Sequence, residues 1–178
     1  MKKNKVPFVL RPWSMSDLES LIEQANNFNI ADLVDDHFPH PYTLDAGREF
    51  IELAMAATPR RILAIDVEGK AVGAIGIHPG EGIMWRNAEL GYWLGEIYWG
   101  HGIMTASVKE IVNYGFEQWP GIDRIFARPF GSNHASQRVL EKAGFVFEHR
   151  FLGTIDKNGR REDELYYAIR RKQTAHSQ

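Results

Sequence analysis

The residues best suited to chemistry lie in one glycine-rich segment, Trp93 to Thr105. An apolar strand pattern leads into this segment, and a long helix pattern follows it. In such a turn, the backbone N–H groups and the unpaired first amides of the helix converge on one spot of positive potential. Gly100 and Gly102 lack a Cβ, so a ligand can approach their backbone closely. The segment predicts a pyrophosphate site, although the same glycines also suit a tight turn that binds nothing.

The residues after the glycines exclude two other phosphate motifs. A Walker loop requires Gly-Lys-Ser/Thr at this point, and the sequence lacks it. A dinucleotide fold requires a third glycine at a fixed spacing inside a βαβ unit, and that pattern is missing too.

A second segment, Asn133 to Phe145, has the pattern of a short helix with defined ends. Asn133 is expected to cap the first turn, and Gly144 to end the helix in the left-handed conformation. Apolar residues at helical spacing predict a buried stripe of Ala135, Val139, Leu140 and Ala143. Taken alone, this is an ordinary helix.

Together the two segments resemble the signature of the Gcn5-related N-acetyltransferase (GNAT) family. That signature is Gln/Arg-x-x-Gly-x-Gly/Ala, followed by Asn-x-x-Ala/Ser-x-x-Leu-(Tyr)-Glu-Lys-x-Gly-Phe. The outer features at Leu10 to Pro12, Phe38 to Tyr42 and Asp163 to Tyr167 are similar to its RimJ/RimL-like branch, which acetylates protein N-termini. The resemblance extends over nearly the whole chain.

This resemblance implies acetyl-CoA as cosubstrate. The turn and the helix start would hold the pyrophosphate, the preceding strand would bind the pantetheine amides through its main chain, and Ser136 would lie near the thioester sulfur. The expected cofactor-binding residues are Leu90, Tyr92, Leu94, Ile97, Tyr98, Gly100, His101, Gly102, Ile103, Met104, Thr105, Asn133 and Ser136.

Two residues depart from the family pattern. Ile97 stands at the Gln/Arg position, so the phosphates would lose one side-chain donor. Leu140 stands where the family often has a general-acid tyrosine, and leucine cannot donate a proton. By spacing, Ser136 is the nearest replacement as a catalytic residue. Water could serve instead, with Ser136 as a small packing residue.

The resemblance also places Glu89 beside the thioester, where it is the leading candidate for the base that takes a proton from the amine. A solvated glutamate at a strand end would have the same sequence pattern. The weaker candidates for this role are His78, Glu81 and Tyr166.

The demand on this base depends on the acceptor. Deprotonating a free α-amine, with a pKa of ~7.7–8.0, costs about 1 kcal/mol at neutral pH, whereas a lysine costs about 4–5 kcal/mol. An α-amine acceptor is therefore chemically easier.

A further cluster, His37 and His40 beside Asp35 and Asp36, has metal-ligating side chains. Prolines at 39 and 41 break the helix that would align them, so we expect no metal there. The two aspartates could instead form a wall of the acceptor cleft and attract a cationic amine, or form a solvated acidic turn.

The elements that would position these residues form a mixed, mostly antiparallel α/β (α+β) sheet with helices on both faces. The GNAT resemblance adds a splayed strand pair. A capping box is expected at Ser16 with Glu19. We predict strands at 8–13, 62–67, 70–77, 87–95, 122–130, 145–151 and 164–170, and helices after residue 16 and at 30–36, 43–58, 102–119 and 133–143.

Length, composition and charge limit the classes of protein to which the chain can belong. The 178 residues are 44% hydrophobic and 25% charged, with a net charge of −2 and no cysteine. This predicts one domain over 1–178 with flexible ends at 1–5 and 173–178, and the resemblance implies that it is a GNAT domain. The composition excludes disulfides and a cysteine nucleophile, and gives no electrostatic reason to bind nucleic acid. No apolar run is long enough for a membrane span, so we expect a cytoplasmic protein.

The resemblance implies an N-acetyltransferase that moves acetyl from acetyl-CoA to a primary amine, and the absence of cysteine predicts direct transfer in a ternary complex. The expected acceptor is a protein or peptide N-terminal α-amine. The alternatives are a small-molecule amine (a polyamine, an aminoglycoside or an amino acid) and, from another class, an inactive acyl-CoA-binding module. The sequence does not indicate the oligomeric state.

Overall fold

Seven strands form one mixed sheet in the order β1-β2-β3-β4-β5-β7-β6. The computed structural model of the chain describes residues 6–172, so both ends that were predicted to be flexible lie outside the described residues. All neighbouring strands are antiparallel except β4 and β5. The strands are β1 (Val9–Arg11), β2 (Ile62–Val67), β3 (Lys70–Pro79), β4 (Asn87–Leu94), β5 (Arg124–Ala127), β6 (Val146–Lys157) and β7 (Arg160–Arg170).

Helices cover both faces of the sheet, which confirms the predicted fold class. One face carries α1 (Leu18–Ala25), α2 (Phe28–Ala31) and α3 (Leu44–Ala56), and the other carries α4 (Ile103–Gln118) and α5 (His134–Ala143). Strand alternation separates the two cores, because successive side chains point to opposite faces. No helix within residues 6–172 is long and apolar enough to cross a membrane.

Helix α4 packs closely on the centre of the sheet through Gly115. A Cβ at this position would lie 3.2 Å from Ile77 and 3.3 Å from Ile125, both of which are fully buried. The last turn of α4 is thereby held against β3 and β5.

The predicted capping box at Ser16 and Glu19 is wrong. The box is formed two residues earlier, where the Ser14 side chain accepts from the main chain and the Asp17 carboxylate accepts from the Ser14 N–H. Asp17 is buried and paired with Arg11 at 2.8 Å, so this motif also ties β1 to α1. The ion pair with Arg11 on β1 thus favours the Ser14 motif over the similar Ser16 motif as the cap.

The strand bounds differ most at the C-terminal part of the sheet. Strand β5 ends at Ala127 rather than at residue 130, and Pro129, which lacks an N–H, follows two residues later. Strands β6 and β7 are longer than predicted because two irregularities in their pairing let the hairpin continue past its apolar part. The short helix α2 spans 28–31 instead of 30–36.

Candidate active site

The sheet opens between β4 and β5. Their parallel pairing runs only from Asn87 opposite Arg124 to Glu89 opposite Phe126. Beyond Glu89, the described strands offer the β5 side of Leu90–Leu94 no partner. Main-chain N–H and C=O groups on this edge therefore face a gap, which an extended ligand can fill as an added strand.

Two cavities meet at this gap. The turn cavity, of about 340 Å³, lies between the segment Tyr98–Thr105 and α5. The sheet cleft, of about 590 Å³, lies on the face that carries α1 to α3. Six residues line both cavities, and we call this set the junction: Leu33, Val34, Tyr92, Trp93, Asn133 and Ser136.

The turn cavity has the geometry of an anion site. Gly100 and Gly102 adopt φ of 77° and 79°, the left-handed region that favours glycine. Gly102 is the N-cap of α4 and has no side chain to bond the first amides of the helix. A Cβ at Gly102 would meet no described atom within 4 Å, so the space beside this glycine is open for a ligand. The Trp99 indole N–H donates to the Leu94 carbonyl at 2.7 Å and holds the turn against β4.

Most of the residues predicted to bind the cofactor line the turn cavity, with three exceptions. Leu90 lines the sheet cleft instead, while Ile97 and His101 line neither cavity, and Ile97 is 72% exposed. The predicted residues that do line it are Tyr92, Leu94, Tyr98, Gly100, Gly102, Ile103, Met104, Thr105, Asn133 and Ser136.

Sequence reasoning missed the cationic side of this cavity. Arg138 and Lys142 lie one turn apart on α5 and both line it. Their i, i+4 spacing was the available signal, since it puts two cations on one helix face. The predicted buried stripe of α5 needs correction, because Ala135 is exposed and lines the cavity with Val139, whereas Leu140 is fully buried.

Helix α5 presents Ser136 to the junction. The Asn133 side chain accepts the Ser136 N–H at 3.0 Å, which confirms Asn133 as the N-cap. The Ser136 hydroxyl lies 2.7 Å from the Tyr92 hydroxyl of β4. Burial raises the pKa of Tyr92 to about 12, and the Ser136 contact opposes this in part.

The floor of the sheet cleft is made of two glycines, Gly76 of β3 and Gly91 of β4, which are directly paired. The His78 imidazole lies along this floor, because Nε2 would be 3.1 Å from a Cβ at Gly76 and 3.8 Å from one at Gly91. Burial lowers the pKa of His78, although the nearby Glu89 carboxylate opposes the shift. His78 is therefore neutral at pH 7 and able to accept a proton.

Glu89 faces the same cleft, paired with His78 across β3 and β4. Arg128 donates to both of its oxygens, from Nε at 2.8 Å and from Nη2 at 3.1 Å, and a third donor bonds Glu164 at 2.9 Å. The hydrogen bond to Glu89 raises the pKa of Arg128. The other two base candidates, Glu81 and Tyr166, do not line either cavity.

A polar bridge spans the outer side of the cleft. It joins two aspartates that follow α2 to the tip of the β6–β7 hairpin. Lys157 donates to Asp36 at 2.7 Å. Asp32 accepts from Asn158 at 2.6 Å and from Arg160 at 2.9 Å. The hydrogen bond from Arg160 lowers the pKa of Asp32, and that from Lys157 lowers the pKa of Asp36. Both sides of the bridge line the cleft, which is thus covered at this point.

The two cavities differ in charge. The described residues that line the sheet cleft include five carboxylates, Asp35, Asp36, Glu89, Asp156 and Glu164, against the two cations Arg128 and Lys157. Those of the turn cavity include Arg138 and Lys142 and no carboxylate. One cavity therefore favours a cation and the other an anion. Residues 6–172 contain no cluster of three or more potential metal ligands.

Comparison with known proteins first defines the fold. A Mycobacterium smegmatis RimJ in complex with CoA-disulfide superimposes with a TM-score of 0.76 at 25% identity, over 96% of this chain and 85% of that chain. A Vibrio cholerae spermidine N-acetyltransferase in complex with CoA and spermine gives 0.75 at 21% identity, over 92% and 95%, and shows the same fold.

Residues 8–146 then match the family described as an acetyltransferase (GNAT) domain, so the chain belongs to the GNAT family. The Bacillus subtilis (strain 168) protein "Putative ribosomal N-acetyltransferase YdaF" is 29% identical over 106 residues, or 60% of this chain and 57% of that protein. The aligned part thus spans just over half of this curated relative.

The bridge generates a testable prediction. Asp32→Asn removes the charge that accepts from Arg160, so amide hydrogen exchange at the hairpin tip, residues 157–160, should become several-fold faster. Asp45→Asn is the matched control, because Asp45 is exposed and its ion pair is long, at 3.9 Å. Equal exchange rates in the wild type and Asp32→Asn would show that the bridge does not hold the tip. Because the hydrogen bond from Arg160 lowers the pKa of Asp32, its contribution should be fully present above about pH 4 and be lost as the pH falls from there through the lowered value.

Proposed function

We propose that the protein is an acetyl-CoA-dependent N-acetyltransferase that transfers acetyl directly to a primary amine. The observation that carries this proposal is the meeting of an anion-favouring and a cation-favouring cavity at an unpaired strand edge. A donor held by its phosphates and an ammonium acceptor would approach one another from opposite sides of the sheet. Membership of the GNAT family supports the same reaction.

Acetyl-CoA is assigned to the turn cavity. Its pyrophosphate would accept from the first amides of α4 and from the backbone at Gly100 and Gly102, with Arg138 and Lys142 adding positive charge. Its pantetheine amides would pair with the open edge of Leu90–Leu94. These contacts rely on main chain, so the loss of a side-chain donor at Ile97 is tolerable.

The transfer itself needs little covalent chemistry from the protein. The amine nitrogen attacks the thioester carbonyl, and main-chain N–H groups of β4 polarise the carbonyl oxygen. A base in the sheet cleft takes the proton that the nitrogen loses. Glu89 is the proposed base, acting through water because Arg128 occupies both of its oxygens, and His78 is its nearest competitor.

The proposed acceptor is a protein or peptide N-terminal α-amine. The bridge covers the cleft, so a slender chain end enters more easily than a side chain on a folded surface. An α-amine also makes the smaller demand on a base whose carboxylate is paired with arginine. The name of YdaF, a putative ribosomal N-acetyltransferase, supports a protein acceptor. Small amines fit the same opening and are the competing acceptors.

An acceptor panel tests this function. CoA release and product mass should be measured with a lysine-free peptide that has a free α-amine, an Nα-blocked peptide with one lysine, and a polyamine. The free α-amine should give a kcat/KM at least tenfold above the other two. A higher value for the polyamine would overturn the acceptor class. Tight acetyl-CoA binding with no acetylated product would instead indicate a binding module.

The turn cavity can be tested by calorimetry. Gly102→Val should fill the open position above the α4 amides and weaken acetyl-CoA binding at least tenfold, about 1.4 kcal/mol. Gly69→Val is the control for backbone strain, because Gly69 also has positive φ with nothing within 4 Å of a Cβ but lies in the β2–β3 turn. Unchanged affinity in a folded Gly102→Val variant would remove the assignment.

The base can be identified from pH–rate profiles. Glu89→Gln should lower kcat by ~10²–10⁴ and leave acetyl-CoA affinity intact. Glu164→Gln is the matched control, since Glu164 bonds the same arginine, and it should cost less than tenfold. The activity of the wild type should fall at acidic pH as the base becomes protonated. If this fall in the pH–rate profile is lost in His78→Gln but persists in Glu89→Gln, the base is His78. That fall would lie below about pH 6.5, because burial lowers the pKa of His78.

A further inference from the structure

The Tyr92 and Ser136 hydroxyls form the one direct hydrogen bond between β4 and α5 at the junction, within the described residues. Tyr92 comes from the part of β4 that has lost its β5 partner, and Ser136 from the first turn of α5. Both residues line the turn cavity and the sheet cleft. The pair therefore lies where the two cavities meet.

The chemistry of the two hydroxyls gives the bond a direction. A phenol is a stronger acid than an aliphatic alcohol and hence the better donor, while its oxygen, conjugated with the ring, is the poorer acceptor. Burial raises the pKa of Tyr92 to about 12, so the phenol keeps its proton at neutral pH. Tyr92 thus donates and Ser136 accepts.

This direction leaves the Ser136 proton available. Among the described residues, Tyr92 is the only hydrogen-bond partner of the Ser136 hydroxyl. The main chain of Ser136 is fixed by the Asn133 cap at 3.0 Å, so the remaining freedom is rotation of its O–H. A donor from Tyr92 restricts that rotation, and the proton is then directed away from Tyr92 toward the cavities.

We propose that Tyr92 is a positioning residue that aims the Ser136 O–H at the leaving sulfur during acetyl transfer. This inference rests on the proposed function. As the amine nitrogen forms its bond to the carbonyl carbon, the carbon–sulfur bond breaks and its electron pair goes to sulfur. Ser136 donates a hydrogen bond to that sulfur, and Tyr92 donates one to Ser136. No proton moves along this pair, because a thiol of pKa ~8.5 can leave as the thiolate. The proton lost by nitrogen goes to the base in the cleft.

The position of Leu140 is consistent with this arrangement. Leu140 is fully buried in the core beneath α5 and has no hydroxyl to offer. The hydroxyl beside Ser136 is supplied across the gap by β4 instead. The unpaired strand edge thus contributes a side chain to the junction as well as main-chain groups.

A double-mutant cycle tests the pair. Tyr92→Phe keeps the ring and removes the donor, so kcat should fall about tenfold with the KM for acetyl-CoA unchanged. Ser136→Ala should lower kcat by about 10- to 150-fold, and adding Tyr92→Phe to it should change kcat less than twofold. Tyr114→Phe is the control, because Tyr114 donates to the Arg60 carbonyl at 2.8 Å and lines neither cavity. A wild-type kcat in Tyr92→Phe, an equal loss in both backgrounds, or a change confined to KM would overturn the inference.

A second measurement needs no acceptor. CoA is titrated in complex with the protein, and its thiolate is followed by ultraviolet absorbance. A hydrogen bond from Ser136 favours the thiolate, so Tyr92→Phe should raise the pKa of the bound thiol by about 1 relative to the wild type. Tyr114→Phe should leave it unchanged. Equal values in Tyr92→Phe and the wild type would overturn the role of Tyr92 even if the enzyme acetylates amines. Failure of the wild type to bind CoA would refute the proposed function itself, and with it this inference.

Discussion

The short parallel ladder between β4 and β5 is the constraint on which the rest of the site depends. Its hydrogen bonds stop at Glu89 because β5 ends at Ala127 and the chain turns away at Arg128 and Pro129. An open edge in the middle of a sheet costs main-chain hydrogen bonds, and only firmly held neighbours can maintain it. Here β3 pairs with β4 from Ala88 to Leu94, and β7 pairs with all of β5. The gap is thus a fixed feature between two rigid halves.

The gap also lies between two regions of opposite charge, whose charges would neutralise each other if they were in contact. Helix amides and the cations of α5 face one side of the sheet, and the carboxylates of the cleft face the other. Between them, the junction carries side chains that are neutral at pH 7. Two reactants of opposite charge can therefore be drawn toward the same point without binding in each other's place. The charge on Arg128 does not alter this pattern, because two glutamates accept from it.

Local signals in the sequence predicted the architecture, the turn at Gly100 and Gly102, and the Asn133 cap, because each depends on residues close together in the chain. Contacts between distant segments could not be predicted in this way. The Arg128 pair with Glu89 joins residues 39 apart in sequence, and the Lys157 contact with Asp36 joins residues 121 apart. Tyr92 was expected to bind the cofactor, but the contact of its side chain with Ser136 could not be predicted, since Ser136 lies on a helix 44 residues later. The capping box was misplaced for the same reason, because its position depends on Arg11, which lies on β1.

The two glycines in the floor of the cleft, Gly76 and Gly91, have a consequence for how the shape of the cleft can change. A methyl group at Gly91 would come no closer than 3.8 Å to a described atom, so this position can take a side chain without moving the backbone. The same methyl at Gly76 would lie 3.0 Å from the Arg61 carbonyl and 3.1 Å from His78. Side chains of increasing size at Gly91 on β4 would therefore make the cleft shallower in small steps. Gly76 on β3 leaves no room for such a change. A single substitution at Gly91 is thus enough to narrow the cleft without disturbing the gap between β4 and β5.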